Sequence, residues 1–85
     1  MYRLILAPGV KEQIMGLSPF VRRKIDEAFS DLVNDPHSAF EAMRMRTGSF
    51  VRYRCKVGEY RIIYTINENQ IEIYVLKVGH RRTVY

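Results

Sequence analysis

The chain has 85 residues, which is enough for one domain and too few for two. Hydrophobic residues make up 47% of it, which excludes an intrinsically disordered chain, and the net charge of +5 indicates a polyanionic partner. No apolar run approaches the roughly 20 residues that a membrane-spanning helix needs, and the first residues lack the features of a signal peptide. We therefore expect a single domain, residues 1–85, in the cytoplasm and away from membranes.

The first half of the sequence predicts one strand and two helices. Residues 2–6 read as a strand, and apolar residues at helical spacing then predict a short helix over residues 10–17. Ser18 is a helix-capping residue followed by a proline, so a second helix is predicted over residues 19–34. Pro36 ends it, because the residue before a proline disfavours helix. The two helices are expected to form an antiparallel hairpin.

The second half predicts three strands in an antiparallel meander that begins at Phe50. Residues 58–59 form a good two-residue turn because glycine supplies the positive φ that such turns need. Residues 68–69 predict a second turn of the same length, with an asparagine that tolerates the left-handed conformation. Residues 37–48 show no clear pattern. The expected fold class is α+β, with the helices packed on one face of the sheet.

Two turns of two residues each fix a register in which Lys56 faces Arg61 and Arg61 lies opposite Leu76. Because side chains alternate along a strand, this register sorts them onto two faces. The expected core face is apolar and carries Val51, Tyr53, Cys55, Val57, Tyr60, Ile62, Tyr64, Ile66, Ile71, Ile73 and Val75. The opposite face is a basic, partly aromatic platform that carries Arg52, Arg54, Lys56, Arg61, Ile63, Thr65, Glu72, Tyr74 and Leu76.

The basic platform predicts an anion site, although a merely solvated charged face is the alternative. Like charges that face each other across strands destabilise a sheet unless an anion bridges them. Arginine presents a planar fork of donors that matches phosphate oxygens. The lone cysteine, Cys55, is a candidate nucleophile, but its apolar strand position favours a buried small hydrophobe. His37, His80 and Cys55 have no metal-ligand spacing, so we expect no metal and no cofactor.

The C-terminal segment adds chemistry at the end of the meander nearer Arg61. His80 can exchange a proton near neutral pH, although a histidine at a strand end is also often structural. Arg82 and the preceding Arg81 add positive charge, and Tyr85 adds a phenol.

Two motifs taken together resemble the RelE/ParE toxin superfamily, and most closely its RelE branch. The first motif is Gly-Glu-Tyr-Arg-Ile-Ile-Tyr at residues 58–64. The second is Val-Leu-Lys-Val-Gly-His-Arg-Arg-Thr-Val-Tyr at residues 75–85. The predicted order of strand, helical hairpin and meander also fits that fold. The resemblance implies the toxin of a type II toxin–antitoxin system, with a cognate antitoxin as partner in a hetero-oligomer.

The RelE branch implies a metal-independent endonuclease that cleaves messenger RNA in the ribosomal A site. In that reaction the 2′-hydroxyl attacks the adjacent phosphate, which leaves a cyclic phosphate and a 5′-hydroxyl. The resemblance assigns roles in this site to Arg52, Arg54, Arg61, Arg81 and Tyr85. The pattern of charge adds His80 as a proton-transfer candidate and Lys56 and Arg82 as RNA-binding residues.

Three other functions stay open from the sequence. The ParE branch shares the fold and the antitoxin partner but poisons DNA gyrase. A non-catalytic RNA-binding relative would bind RNA in a salt-sensitive way without forming a cyclic phosphate. A structural protein whose basic face is only solvated is the third.

Overall fold

The structure is a computed structural model that describes residues 1–37, 42–47 and 50–84. Its elements, in chain order, are β1 (Arg3–Leu6), α1 (Val10–Met15), α2 (Pro19–Asn34), β2 (Ala42–Thr47), β3 (Phe50–Val57), β4 (Tyr60–Asn67) and β5 (Glu72–His80). No helix in the described part of the chain is long and apolar enough to cross a membrane.

The two strongest local signals act as predicted. The Ser18 hydroxyl caps α2 by accepting a hydrogen bond from the backbone N–H of Val21 at 3.3 Å, and a proline follows at the first helical position. Gly58 occupies the turn between β3 and β4 with φ +60°, a conformation that costs glycine little. Each element boundary next to these residues lies within a residue or two of its predicted position.

The described strands form a five-stranded sheet in the order β1-β5-β4-β3-β2. β1 runs parallel to β5, and the other neighbours are antiparallel. The α+β class and the order of strand, two helices and meander are confirmed. β2 is an additional edge strand, formed by residues 42–47, where the sequence shows no clear pattern.

The core lies between the helices and one face of the sheet, as predicted. The helices contribute three buried residues, Val10, Ile25 and Leu32, and the sheet contributes Cys55, Ile62, Tyr64, Ile73, Val75 and Val78. The thiol-bearing Cys55 is 2% exposed, in keeping with its interpretation as a small buried hydrophobe rather than a nucleophile. Helix packing on one face leaves the opposite face of the sheet, called here the open face, to carry the site.

The predicted register of the second hairpin is wrong. The loop between β4 and β5 spans residues 68–71, so Asn67 pairs with Glu72 rather than with Gln70. A register shift between the Ile63 and Tyr64 pairs then moves the strands further, and Arg61 lies opposite Gly79 instead of Leu76. A bulge inserts an unpaired residue and so exchanges the faces of the residues beyond it.

Ile71 also departs from its predicted place in the core. It lies in the β4–β5 loop with φ 54° and is 51% exposed. The longer loop excludes it from β5, so it no longer takes part in the alternation that predicts its burial. At the other end of β5, the bulge turns Val78 toward the core, where it is 3% exposed.

Candidate functional site

Two rows of cross-strand neighbours build the site on the open face. In the first row Lys56 pairs with Arg61, and Arg61 pairs with Gly79. In the second row Arg54 pairs with Ile63, which pairs with Lys77. The predicted neighbourhood of Lys56 and Arg61 is therefore confirmed, because the two-residue turn at residues 58–59 fixes it. The basic side chains of β3 and β4 share one end of the sheet.

Arg61 is the most enclosed charged residue of this site, at 9% exposure. Its Nη1 donates hydrogen bonds of 2.8 Å to the backbone oxygens of Gly58 and Tyr60. Both bonds go to the turn between β3 and β4, so this turn holds the guanidinium in one place. A guanidinium has five N–H donors, and those on Nε and Nη2 make no hydrogen bond within the described part of the chain. A fixed arginine with donors to spare is suited to an anion.

Arg81 is tied to the same turn through Glu59. The backbone N–H of Arg81 donates to the Glu59 carbonyl oxygen at 2.8 Å, and its Nε lies 2.6 Å from Glu59 Oε2. The two side chains are 49% and 61% exposed, so solvent screens this ion pair. The sequence pattern does not single out Glu59 as a partner of Arg81, although Glu59 is an acid in a turn among arginines. Its role depends on how the C-terminal segment folds back, which local sequence does not reveal.

The C-terminal segment covers one corner of the open face through Val84. Val84 is 6% exposed, and its side chain would lie 3.5 Å from a Cβ placed on Gly79, the partner of Arg61. The backbone N–H groups of Thr83 and Val84 both donate to the His80 carbonyl oxygen, at 2.9 and 3.0 Å. These contacts turn the chain beside Arg61 and explain why the basic platform is partly buried there.

His80 lies apart from the arginine cluster. It is the last residue of β5 and pairs with Tyr60, a residue that packs against the core on the helix side of the sheet. The two rings meet edge to face, with centroids 5.5 Å apart. His80 Nδ1 accepts a hydrogen bond of 3.2 Å from the backbone N–H of Arg82. A neutral ring in this arrangement carries its proton on Nε2, so Nδ1 is engaged and Nε2 is a donor.

The remaining predicted site residues spread outward from Arg61. Lys56 is half-buried and lines a cavity of about 310 Å³ between α2 and the end of β3. Arg52 and Arg54 are half-buried on the open face of β3. Arg82 is exposed, and Tyr85 lies outside the described residues.

Two kinds of side chain bear on what the site can bind, namely metal-ligating groups and cationic groups. In the described part of the chain, no group of three or more His, Cys, Asp and Glu side chains could hold a metal ion. The arrangement instead concentrates guanidinium and ammonium groups, which can neutralise a phosphate and stabilise charge that develops on it. The geometry therefore gathers basic side chains on the open face of a small α+β fold.

Comparison with known proteins places this chain in one family. Residues 4–85 match the family described as the ParE toxin of the type II toxin–antitoxin system parDE, and the chain belongs to this family. It is thus a type II toxin of the RelE/ParE superfamily, as the two motifs predict. Comparison with curated proteins gives no match.

Solved structures of similar fold carry both RelE and other toxin names. The toxin of the archaeal RelE–RelB complex from Pyrococcus horikoshii is 27% identical, with 98% of each chain covered and a TM-score of 0.81. A chain of the RelBE2 toxin–antitoxin complex from Mycobacterium tuberculosis is 23% identical, with 94% of this chain and 98% of that chain covered and a TM-score of 0.80. A metal-bound toxin from Helicobacter pylori shares the fold at 10% identity, full coverage of both chains and a TM-score of 0.81.

Proposed function

We propose that this toxin is a ribosome-dependent endoribonuclease that cleaves messenger RNA by attack of a 2′-hydroxyl on the adjacent phosphate. The observation that carries the proposal is the pair of arginines at one turn. Arg61 is held by the Gly58 and Tyr60 carbonyl oxygens, and Arg81 is held by Glu59. Arg61 is thereby preorganised, Arg81 is kept at the same turn by its ion pair, and Lys56 pairs with Arg61 across the strands.

Charge stabilisation is the main work assigned to the site. As the 2′-oxygen forms its bond to phosphorus and the bond to the 5′-oxygen breaks, negative charge grows on the nonbridging oxygens. Arg61 stabilises that charge from a fixed position, and Arg81 supports it after leaving Glu59. Arg52, Arg54 and Lys56 hold the neighbouring phosphates. A preorganised donor of this kind contributes on the order of 100- to 1,000-fold in rate.

Proton transfer completes the reaction, and Tyr85, Arg81 and His80 are the candidates for it. The base takes the proton of the 2′-hydroxyl, and the acid protonates the 5′-oxygen that leaves. The position of His80 on the helix side, with Nδ1 engaged by Arg82, supports assigning the first transfer to Tyr85 and the second to Arg81. His80 then orients the C-terminal segment rather than acting on the substrate.

The proposed partners follow from the charge and the family. RNA phosphates match the basic open face, and the ribosomal A site supplies the message in the cytoplasm. A cognate antitoxin forms a hetero-oligomer with the toxin, a proposal supported by the similar fold in the RelE–RelB complex from Pyrococcus horikoshii and in the RelBE2 toxin–antitoxin complex from Mycobacterium tuberculosis. An antitoxin that covers the basic face would suppress cleavage by blocking the phosphates.

The test uses ribosomes programmed with a message that carries one 2′-deoxy nucleotide at the mapped cleavage position. The purified toxin should cut the all-ribose message and leave a cyclic phosphate and a 5′-hydroxyl at the new ends. The 2′-deoxy message should stay intact because its attacking group is missing. Equal cutting of both messages, or a 3′-hydroxyl at the new end, would contradict the proposed chemistry. Free message without ribosomes is the control and should be cut far more slowly.

A second candidate function is inhibition of DNA gyrase, which the match to the ParE family model favours. It predicts loss of supercoiling by purified gyrase at toxin concentrations that leave programmed messages intact. A non-catalytic RNA-binding relative is distinguished by salt-sensitive RNA binding with no new RNA ends and no effect on gyrase.

A further inference from the structure

Tyr74 stands exposed in the middle of the open face. Its neighbours in the chain, Ile73 and Val75, are fully buried on the helix side, so alternation places Tyr74 on the opposite face. The residue is 38% exposed, although it belongs to β5, a strand with a partner on each side. Its hydroxyl makes no hydrogen bond within residues 1–37, 42–47 and 50–84. A large aromatic residue in the centre of a sheet is usually covered, and this one is not.

The register gives Tyr74 an aliphatic neighbour on one side and a threonine on the other. It pairs with Ile5 of β1 and with Thr65 of β4, and both are half-buried. In the next row, Glu72 is the acid nearest along β5, and its carboxylate forms an ion pair with Arg3. Because Arg3 neutralises Glu72, β5 places no uncompensated negative charge beside Tyr74.

Basic residues flank the same row. Arg54 pairs with Ile63, so Arg52, two residues earlier on β3, lies near Thr65. Lys77 is exposed on β5 and pairs with Ile63. Tyr74 therefore lies within a row or two of Arg52 and Lys77. An aromatic side chain near cations suits a single-stranded nucleic acid, whose bases stack on the ring while its phosphates meet the charges.

The distance to Arg61 decides which nucleotide Tyr74 can reach. Arg61 and Thr65 lie four positions apart on β4, which at about 3.3 Å per residue separates their rows by roughly 13 Å. Stacked nucleotides in a strand rise by only about 3.4 Å. A base at Tyr74 therefore belongs to a different nucleotide from the one whose phosphate meets Arg61.

We propose that Tyr74 is a stacking platform for one base of the message, away from the phosphate that is cut. This inference rests on the proposed function, because it takes single-stranded RNA as the ligand of the open face. The ring would hold the strand in register over the arginines without touching the reacting atoms, and it would do so for any base, since every base presents a π-face. Tyr74 is thus a positioning residue for the proposed reaction.

The test is an abasic scan of the message in programmed ribosomes. A series of messages carries a single abasic nucleotide at successive positions around the cleavage site, and cleavage is measured with wild-type toxin, Tyr74→Ala and Tyr74→Phe. Wild type should lose about 5- to 100-fold in cleavage efficiency with the abasic nucleotide at one position near the cut. Tyr74→Ala should show that loss with the intact message and be insensitive to the abasic nucleotide at that position, because the two changes remove one interaction. Tyr74→Phe keeps the ring and should match wild type within about twofold.

The outcomes separate this inference from the proposed function. If wild type cuts the message but Tyr74→Ala responds to every abasic position as wild type does, the stacking role is overturned and the nuclease stands. If wild type cuts no message, both the proposed function and the stacking role fail. Thermal unfolding of Tyr74→Ala checks that the variant folds, and the exposure of the side chain predicts little change. A loss of cleavage that is uniform across the scan and shared by Tyr74→Phe would also overturn the stacking role.

Discussion

The charged side chains at the two ends of the sheet differ in how fully they are paired. At the end that holds the β4–β5 loop, Glu68 accepts a hydrogen bond from the Tyr2 hydroxyl at 2.8 Å, and its other oxygen lies 2.6 Å from His37 Nε2. At the end that holds the β3–β4 turn, Lys56 and Arg61 face each other, and the acid nearby is Glu59, which is bound to Arg81. One end is matched internally, and the other carries positive charge in excess.

This difference separates structural polar groups from functional ones. The hydrogen bonds from Tyr2 and His37 lower the pKa of Glu68, so the folded state favours its charged form. The same hydrogen bond raises the pKa of Tyr2. A group that completes its interactions within the fold stabilises the fold, whereas an unbalanced cluster is stabilised further by an external anion. We therefore expect mutations at the β4–β5 loop end to change stability and mutations at the β3–β4 turn end to change cleavage.

Changing Arg61 should have the largest effect of all. Arg61→Ala should lower cleavage of message in programmed ribosomes by about 100- to 1,000-fold, because it removes a preorganised donor to the phosphate. Arg61→Lys keeps one charge but loses the fork that bonds both turn carbonyl oxygens, and should fall in between. Arg23→Ala on α2, an exposed residue of equal charge, is the matched control and should cleave as wild type does. Similar losses in the control and in Arg61→Ala would place the site elsewhere.

Changing Glu59 should act in the other direction. Glu59→Gln keeps the backbone hydrogen bond to Arg81 but removes the carboxylate that competes with phosphate for its guanidinium. The exposed pair is worth at most about 1 kcal/mol, so the half-saturating toxin concentration should fall by up to about fivefold. Arg81→Ala should instead lower the maximal cleavage rate. Weaker message binding by Glu59→Gln would mean that the ion pair positions Arg81 for RNA rather than competing with it.

Removing the Tyr64 hydroxyl should lower stability without changing the chemistry. Tyr64 is fully buried, stacks on Tyr53, and donates a hydrogen bond of 2.8 Å to the Pro36 carbonyl oxygen. Burial raises its pKa well above the ordinary value, so the hydroxyl stays protonated. Tyr64→Phe should cost about 1–2 kcal/mol, since it leaves a buried carbonyl oxygen without this donor, and should lower Tm by several degrees. Cleavage at low temperature should be unchanged, and a cleavage loss there would contradict the separation of the two ends.

The smallest expected effect is a pH-dependent one at Glu68. Because its folded-state pKa is lowered from 4.5, its contribution to stability is present above that value and is lost as the pH falls through the folded-state pKa. Glu68→Gln should therefore have a slightly lower Tm than wild type at pH 7, and the two should converge in acid. Glu12→Gln, an exposed carboxylate on α1, is the control and should show no such convergence. A Tm difference that is constant with pH would rule out ionisation as its cause.

The β3–β4 hairpin was predictable because one local feature fixes it. Gly58 adopts the positive φ that a two-residue turn needs, so the pairing of Lys56 with Arg61 follows directly. The β4–β5 hairpin was not predictable, because loop length and bulge position depend on packing. Val78 faces the core because the bulge changes the alternation along β5, and Ile71 is exposed because it lies in the longer loop.

The candidate site likewise has a part that the sequence predicts and a part that it does not. The pairing of Arg61 with Lys56 could be placed from the sequence, as could the proximity of the C-terminal segment, but the partner of Arg61 on β5 could not. The contact of Glu59 with Arg81 and the position of His80 could not be placed either, because both depend on how residues after β5 fold back onto the sheet. The contact of Val84 with Gly79, five residues earlier, follows neither helix nor strand periodicity.

The most direct test of the central claim measures both candidate activities with one preparation of the toxin. Programmed ribosomes and purified DNA gyrase are each titrated with wild-type toxin and with Arg61→Ala. Wild type should generate new message ends, Arg61→Ala should do so at least 100-fold more slowly, and supercoiling should be unaffected by either. Inhibition of supercoiling by wild type while the message stays intact would contradict the nuclease proposal and assign the basic open face to gyrase binding.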